Sequence, residues 1–196
     1  MFPRDVTVVI PHIPVRPNKL TRAVKSASVQ VQRASDIVIA TDINREGSAK
    51  TRNRALKKVR TTWVAFLDDD DYFYPEHLDV LLKHAELTRA DVIYPGCAVV
   101  DAVSRPIPLK EEWGRFGKPF DPDLLRQMSY IPVTSLVRTQ YAQQAWFGPP
   151  EGVTTNYDDW GFYLRLLDLG AKFEHVAEIT WVWSHHGNNT SGQPTW

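Results

Sequence analysis

The sequence predicts one α/β domain in which a mostly parallel central sheet is flanked by helices. Three observations predict it. Apolar runs of strand length alternate with segments of helical periodicity through the first hundred residues. The chain has 196 residues, 43% of them hydrophobic, with no internal repeat, low-complexity tract or long linker, which suits one core rather than two. The third apolar run, Trp63 to Leu67, stops abruptly in four aspartates, Asp68 to Asp71, at the strand end where open α/β sheets place their ligands.

Each element follows from its pattern. Val6 to Ile10 is a short continuous apolar strand, and Lys19 to Gln32 carries Leu20, Ala23, Val24, Ala27 and Val31 at helical spacing. A second strand covers Ile37 to Ala40. Ser48 to Val59 is helical through Ala49, Ala55, Leu56 and Val59, and Pro75 to Leu87 through Leu78, Leu81, Leu82 and Ala85. Such alternation implies parallel strands joined by right-handed crossovers. Val92 to Val100 is the fourth strand. Residues 104–129, with prolines at 106, 108, 119 and 122, read as loop with one short helix around Pro122 to Met128. A strand at Val133 to Val137, a helix from Asp159 to Leu169 stopped by Gly170, and a strand near Ile179 to Trp183 complete the chain.

Composition excludes several classes. Lys plus Arg equal Asp plus Glu at 23 each, so no general polyanion binder is indicated and no nucleic acid partner is expected. Cys97 stands alone inside an apolar run, where it reads as a small core residue. No segment approaches the length of a membrane span and the N-terminal residues show no signal-peptide apolar core, so a soluble protein of a bacterial or phage-infected host cytoplasm is expected.

The aspartate run allows two readings. Four successive carboxylates repel one another unless they are solvated, bonded to backbone N–H groups or neutralised by a hard cation such as Mg²⁺ or Mn²⁺. An acidic loop that favours the N-terminus of the helix near Pro75 accounts for one or two of them. A metal and diphosphate site accounts for all four.

Five motifs in order resemble those of the family 2 glycosyltransferases, which adopt the nucleotide-diphospho-sugar transferase (GT-A) fold. Ile10, Pro11, Arg16, Pro17 and Leu20 follow the family's opening I-P-T-Y-N-R-P-x-x-L with one residue inserted and His12 in place of threonine. Gly47, Arg52 and Asn53 match G-x-x-x-x-R-N. Leu67, Asp68, Asp70, Asp71 and Pro75 fit the acidic L-D-x-D-D-x-x-x-P, which contains the D-x-D motif. Asp158, Asp159, Trp160, Leu164, Arg165, Leu166 and Gly170 look like E-D-W-x-x-x-L-R-L-x-x-x-G, and His186, Gly187, Asn189 and Ser191 are similar to H-G-x-N-x-S.

The resemblance implies a metal-dependent, inverting transfer of a sugar from a UDP-sugar or GDP-sugar to a hydroxyl of a protein or glycan acceptor. Residues 1–100 would form the nucleotide-sugar half and residues 101–196 the acceptor half. A nucleoside diphosphate leaving group needs a cation at its β-phosphate, for which Asp70 is the best ligand candidate, with Asp68 facing ribose or metal and Asp69 and Pro11 lining the donor site. Motif register places His186 at the metal or diphosphate, and the carboxylate before tryptophan makes Asp159 the general base. A helix N-cap is the competing reading of Asp159. Asp158 replaces the family's glutamate beside Trp160 at the acceptor, and Asp42 aligns with the carboxylate that reads the base edge. Arg52 either approaches the diphosphate or belongs to a basic face with Lys50, Arg54, Lys57 and Lys58. Trp113, with Phe116, Phe120 and the loop from Trp146 to Tyr157, frames the acceptor; for Trp113 stacking on a sugar and closing the core are equally open.

Two other functions compete. A sugar nucleotidyltransferase should carry a Gly- and Arg/Lys-rich loop after the first strand, which His12-Ile13-Pro14-Val15 is not. A non-catalytic sugar-nucleotide or carbohydrate-binding module would not need both Asp70 and Asp159. Homo-oligomerisation is compatible with either.

Overall fold

The computed structural model describes residues 2–14, 17–108, 117–153 and 157–185, the side chains of residues 17 and 18 excepted. Among these, strands β1 (Val6–His12), β2 (Asp36–Thr41), β3 (Trp63–Phe66), β4 (Tyr72–Phe73), β5 (Val92–Val100), β6 (Pro106–Ile107), β7 (Leu136–Arg138) and β8 (Phe173–Ser184) form one sheet in the order β2-β1-β3-β7-β5-β8-β4, with β6 on β5. Helices α1 (Pro17–Ser28), α2 (Ser48–Leu56), α3 (His77–Thr88), α4 (Pro122–Gln127), α5 (Thr139–Ala145) and α6 (Asp158–Asp168) cover its faces.

The expected α/β layering is present, and the sheet is mixed. β1 pairs in parallel with β2 and β3, as the strand–helix alternation predicts. β7, reached after residues 101–135, runs antiparallel to both β3 and β5, and β5 then pairs in parallel with β8. Two reversals restore direction, so β1, β2, β3, β5 and β8 all point their carboxyl ends to one edge.

Side chains alternate across the pleat. On β3, Val64 and Phe66 enter the core under α2, α5 and α6, while Trp63 and Ala65, with Leu67 just after the strand, enter the core under α1 and α3. Both faces of this strand are therefore buried, which is why it reads as a continuous apolar run.

Several boundaries move for local reasons. α1 ends at Ser28 rather than Gln32: Val31 is 65% exposed, and the buried Gln30 spends its amide on Ser26, Tyr74 and the N–H of Leu78 in the first turn of α3. α2 ends at Leu56 rather than Val59, where the N–H groups of Lys58 and Val59 donate back three residues to Ala55 and Leu56. α3 begins at His77, not Pro75, because Tyr72 and Phe73 pair with Val182 and Trp181 first. β7 starts at Leu136 rather than Val133, and β8 starts at Phe173 rather than Ile179. Among the described residues no helix is long and apolar enough to cross a membrane.

Candidate active site

The convergence of strand ends brings His12, Asp42, Asp68 to Asp71 and Ser184 to one edge. There the aspartate run turns sharply, the N–H of Asp71 donating to the carbonyl of Asp68 at 3.1 Å. Its four carboxylates have different surroundings. Asp69 accepts from the ring of His12 (Nδ1 to Oδ2, 2.8 Å) and from the N–H of Ile13 (3.0 Å). Asp71 accepts from the N–H of Ser184 at 2.8 Å. Asp68 receives Nη2 of Arg52. Asp70 is buried, and its main-chain oxygen accepts from Arg22 at 2.6 Å.

Crowding has an electrostatic signature. Burial pushes the carboxyl of Asp69 up, its bonds from Ile13 and His12 pull it down, and the charges of Asp70 and Asp68 push it up again. Asp71 is raised well above the ordinary carboxylate value, by burial first and then by Asp70 and Asp68. The turn is a concentration of hard oxygen donors with incomplete compensation.

Arg52 joins this turn to the N-terminus of α6. It is buried on α2 with its guanidinium 5.2 Å from the centre of the Phe147 ring, so it is not part of a solvated basic face. Burial works against its charge, but Asp68, then Asp159 and Asp158, leave its pKa raised. Those two aspartates occupy the first turn of α6, where the dipole favours anions. Burial nevertheless pushes both upward, opposed by Arg52 at each and by Arg165 at Asp158. Asp159 also feels Asp68, so the two carboxylate groups share one electrostatic field. Asp159 Oδ1 accepts the N–H of Trp160, its own neighbour, at 2.9 Å, and the helix has Tyr157 at its N-cap, so Asp159 is not the cap.

The first turn of α6 is held tightly. A Cβ on Gly161 would meet the carbonyl oxygen of Gly148 at 2.0 Å, which only glycine avoids. Arg165 donates to the carbonyls of Gly148 and Pro149, both at 2.9 Å, and stacks 3.6 Å from the ring centre of Trp146. Asn53, beside Arg52, exchanges two bonds with the backbone of Phe147, Nδ2 to O at 2.8 Å and N to Oδ1 at 2.7 Å. One dipeptide on α2 thus anchors the loop that leads to α6.

Other expected residues have more structural surroundings. Asp42 accepts the N–H groups of Glu46 and Gly47 at 2.8 and 2.9 Å, shaping the loop before α2, where Gly47 takes φ 92°. Pro11 is buried in β1 opposite Ala40. Trp160 donates its indole N–H to the carbonyl of Leu125 at 2.7 Å and packs on the core, and Phe120 stacks on Phe173 at 4.5 Å. Trp113, Phe116 and His186 lie outside the described residues. Among the described residues no group of three His, Cys, Asp or Glu side chains is arranged to hold a metal ion. Sequence reasoning named His12 and Asn53 only as motif positions, without a role, and passed over Arg22 and Ser184; the signal for His12 was its place at the carboxyl end of a parallel strand.

The family profile described as Glycosyl transferase family 2 matches residues 15–144. A Bacillus subtilis (strain 168) protein, "Uncharacterized glycosyltransferase YwdF", is 28% identical over 149 residues, which are 74% of this chain and 54% of that protein. The chain thus spans about half the length of this curated relative. Among solved structures, S. aureus TarS 1-349 in complex with UDP-GlcNAc superposes with a TM-score of 0.73 at 16% identity, over 98% of this chain and 62% of TarS 1-349. The complex of the same protein with UDP gives 0.71 at 17% identity, over 92% and 60%.

Proposed function

The chain belongs to glycosyl transferase family 2, and from that premise we propose that it moves a sugar from a nucleoside diphosphate sugar to a hydroxyl of a protein or glycan acceptor, with inversion at the anomeric carbon. The observation that carries this reading is the position of Arg52, bonded to Asp68 on one side and within the field of Asp158 and Asp159 on the other. A donor-side carboxylate turn and a candidate base are thereby held at one site. The complexes of TarS with UDP-GlcNAc and UDP favour a UDP-sugar over a GDP-sugar.

In this reading Asp159 accepts the proton of the acceptor hydroxyl as the acceptor oxygen bonds to the anomeric carbon and the bond to the diphosphate oxygen breaks. Burial raises the basicity of Asp159, and the charge of Arg52 opposes that rise. Asp158 and Trp160 belong to the acceptor side, residues 101–196; Pro11, Asp42, Arg52, Asp68 and Asp69 to the donor side, residues 1–100.

The donor set fits Mn²⁺ or Mg²⁺. Such ions are commonly held by one or two carboxylates plus substrate phosphates, so a cage of three protein ligands is not needed. Asp70 would hold the ion, with Asp68 beside it and His186 as the remaining candidate. When bound, the ion would offset charge on the departing diphosphate.

The test is calorimetric titration of UDP, GDP and their sugars with Mn²⁺ and then with EDTA, followed by a hydrolysis assay. Metal-dependent UDP binding with turnover of the UDP-sugar is expected. Absence of binding by every nucleotide would overturn the proposal, and binding without turnover would leave a sugar-nucleotide-binding module.

A further inference from the structure

Arg22 sits on α1, which supplies none of the residues assigned above, yet its guanidinium reaches the aspartate turn. Nη2 donates to the main-chain oxygen of Asp70 (2.6 Å) and to Oγ of Ser184 (2.9 Å), and Nη1 donates to Oγ of Ser104 (3.3 Å). The same group lies 4.5 Å from the centre of the Tyr72 ring. Asp71 completes the connection by accepting the N–H of Ser184. Two side chains therefore gather α1, the aspartate turn, the turn that follows β5 and the last residue of β8.

An arginine on an exposed helix face ordinarily extends its head to water and covers apolar surface with its stem. Arg22 instead places its planar fork on three oxygen acceptors from three distant segments, a pattern that the single point of a lysine ammonium does not reproduce. The end of β8 also matters by sequence, because His185 and His186 follow Ser184 directly.

We propose that Arg22 and Asp71 are positioning residues that latch Ser184, at the carboxyl end of β8, to the aspartate turn, fixing Asp70 in one arrangement for the donor diphosphate. This rests on the assignment of Asp70 to the donor site. Neither residue needs to touch the transferred sugar.

The test compares Arg22→Lys and Arg22→Ala with the wild-type chain by two measurements. Hydrogen–deuterium exchange without ligand reads the latch itself, and UDP titration with Mn²⁺ reads its effect on the site. Both variants should exchange faster in peptides covering residues 68–74 and 180–185, with β1 to β3 unchanged. Both should bind UDP about tenfold more weakly, the loss of one or two charge-assisted bonds. An arginine that merely supports the fold would lower the melting temperature, leave UDP affinity of the folded protein unchanged and be rescued by lysine. Should Arg22→Ala fail to fold, Arg22→Lys carries the comparison. Wild-type exchange in the variants overturns the latch, and so does wild-type UDP affinity despite faster exchange. If the wild-type chain binds no UDP, the donor reading falls and exchange alone judges the latch.

Discussion

Arg52 donates through Nη2 to Oδ1 of Asp68, and the same guanidinium is held in its charged form by Asp159 and Asp158 on α6. One buried cation thus serves two anionic groups that lie ninety residues apart in the chain. Removing it would leave the mutual repulsion of Asp68 and Asp159 without the cation that offsets it.

Arg52→Met should therefore disturb both groups. Loss of one member of a largely buried pair costs several kcal/mol, reduced here to about 1–3 kcal/mol because Asp68 is partly solvated. Urea denaturation at neutral pH measures the loss. Arg52→Lys should recover part of the stability but less of the UDP-sugar turnover, since lysine cannot present the same fork. Equal recovery of both would reduce Arg52 to a structural ion pair.

The two carboxylate assignments separate by kinetics. Asp159→Asn should keep metal-dependent UDP binding and lower turnover by roughly 10²- to 10⁴-fold, the usual contribution of a general base. Asp70→Ala should weaken UDP binding in Mn²⁺ and abolish the response to EDTA. Wild-type turnover in Asp159→Asn would remove that residue from the chemistry.

Gly161→Ala should be costly for a steric reason. The new methyl would stand 2.0 Å from the Gly148 carbonyl oxygen and 2.8 Å from the Pro149 carbonyl carbon, both backbone atoms that cannot swing away. Overpacking of this kind costs about 1–3 kcal/mol or more, read as a fall in melting temperature. Because Gly161 follows Asp159 by two residues, turnover should fall further than stability alone explains.

His77 makes a pH prediction. It is buried, stacked 3.8 Å from Phe73 and bonded to Thr180 at 2.8 Å, and burial lowers its pKa to about 3. Above pH 6.5 both folded and unfolded chains hold it neutral, and stability is unaffected. Below 6.5 the unfolded chain takes up a proton that the folded chain refuses, so stability falls with pH by up to roughly 1.4 kcal/mol per unit down to about pH 3. Asp69 and Asp71 act with the opposite sign, since their raised values let the folded chain take up protons first as pH falls. The comparison of wild type with His77→Leu isolates the histidine. The stability gap should move in favour of the variant between pH 7 and 5, and a constant gap would show that His77 protonates in place.

How much was legible depended on the kind of order that produced each feature. β1, β3 and the helices between them were readable because strands buried on both faces are continuously apolar and the helices carry their apolar residues at period 3.6, while β2, the half-exposed edge strand, was readable from its β-branched run alone. α5 was not, because its buried residues, Thr139, Ala142 and Ala145, are too small to stand out in a polar segment. The first half of β8 was hidden by Glu174, which pairs with Ile93, and by the exposed Glu178, which lies at the register shift beside Gly96. The two-residue β4 exists only because β8 lies alongside to pair with it.

The sequence by itself determined the α/β class, the family, and the place of an aspartate turn at a strand end, since these follow from local periodicity and contiguous motifs. The tertiary structure decided which residue of the turn meets which partner, three through their carboxylates and Asp70 through its main-chain oxygen. Arg52 with Asp68, His12 with Asp69, Ser184 with Asp71 and Arg22 with Asp70 are separated by 16, 57, 113 and 48 positions. No local pattern encodes such pairs: the direct parallel pairing of β1 with β3 brings His12 to Asp69, while Ser184 meets Asp71 only because two chain reversals around β7 carry the end of β8 to the same edge, where burial makes unpaired polar groups expensive.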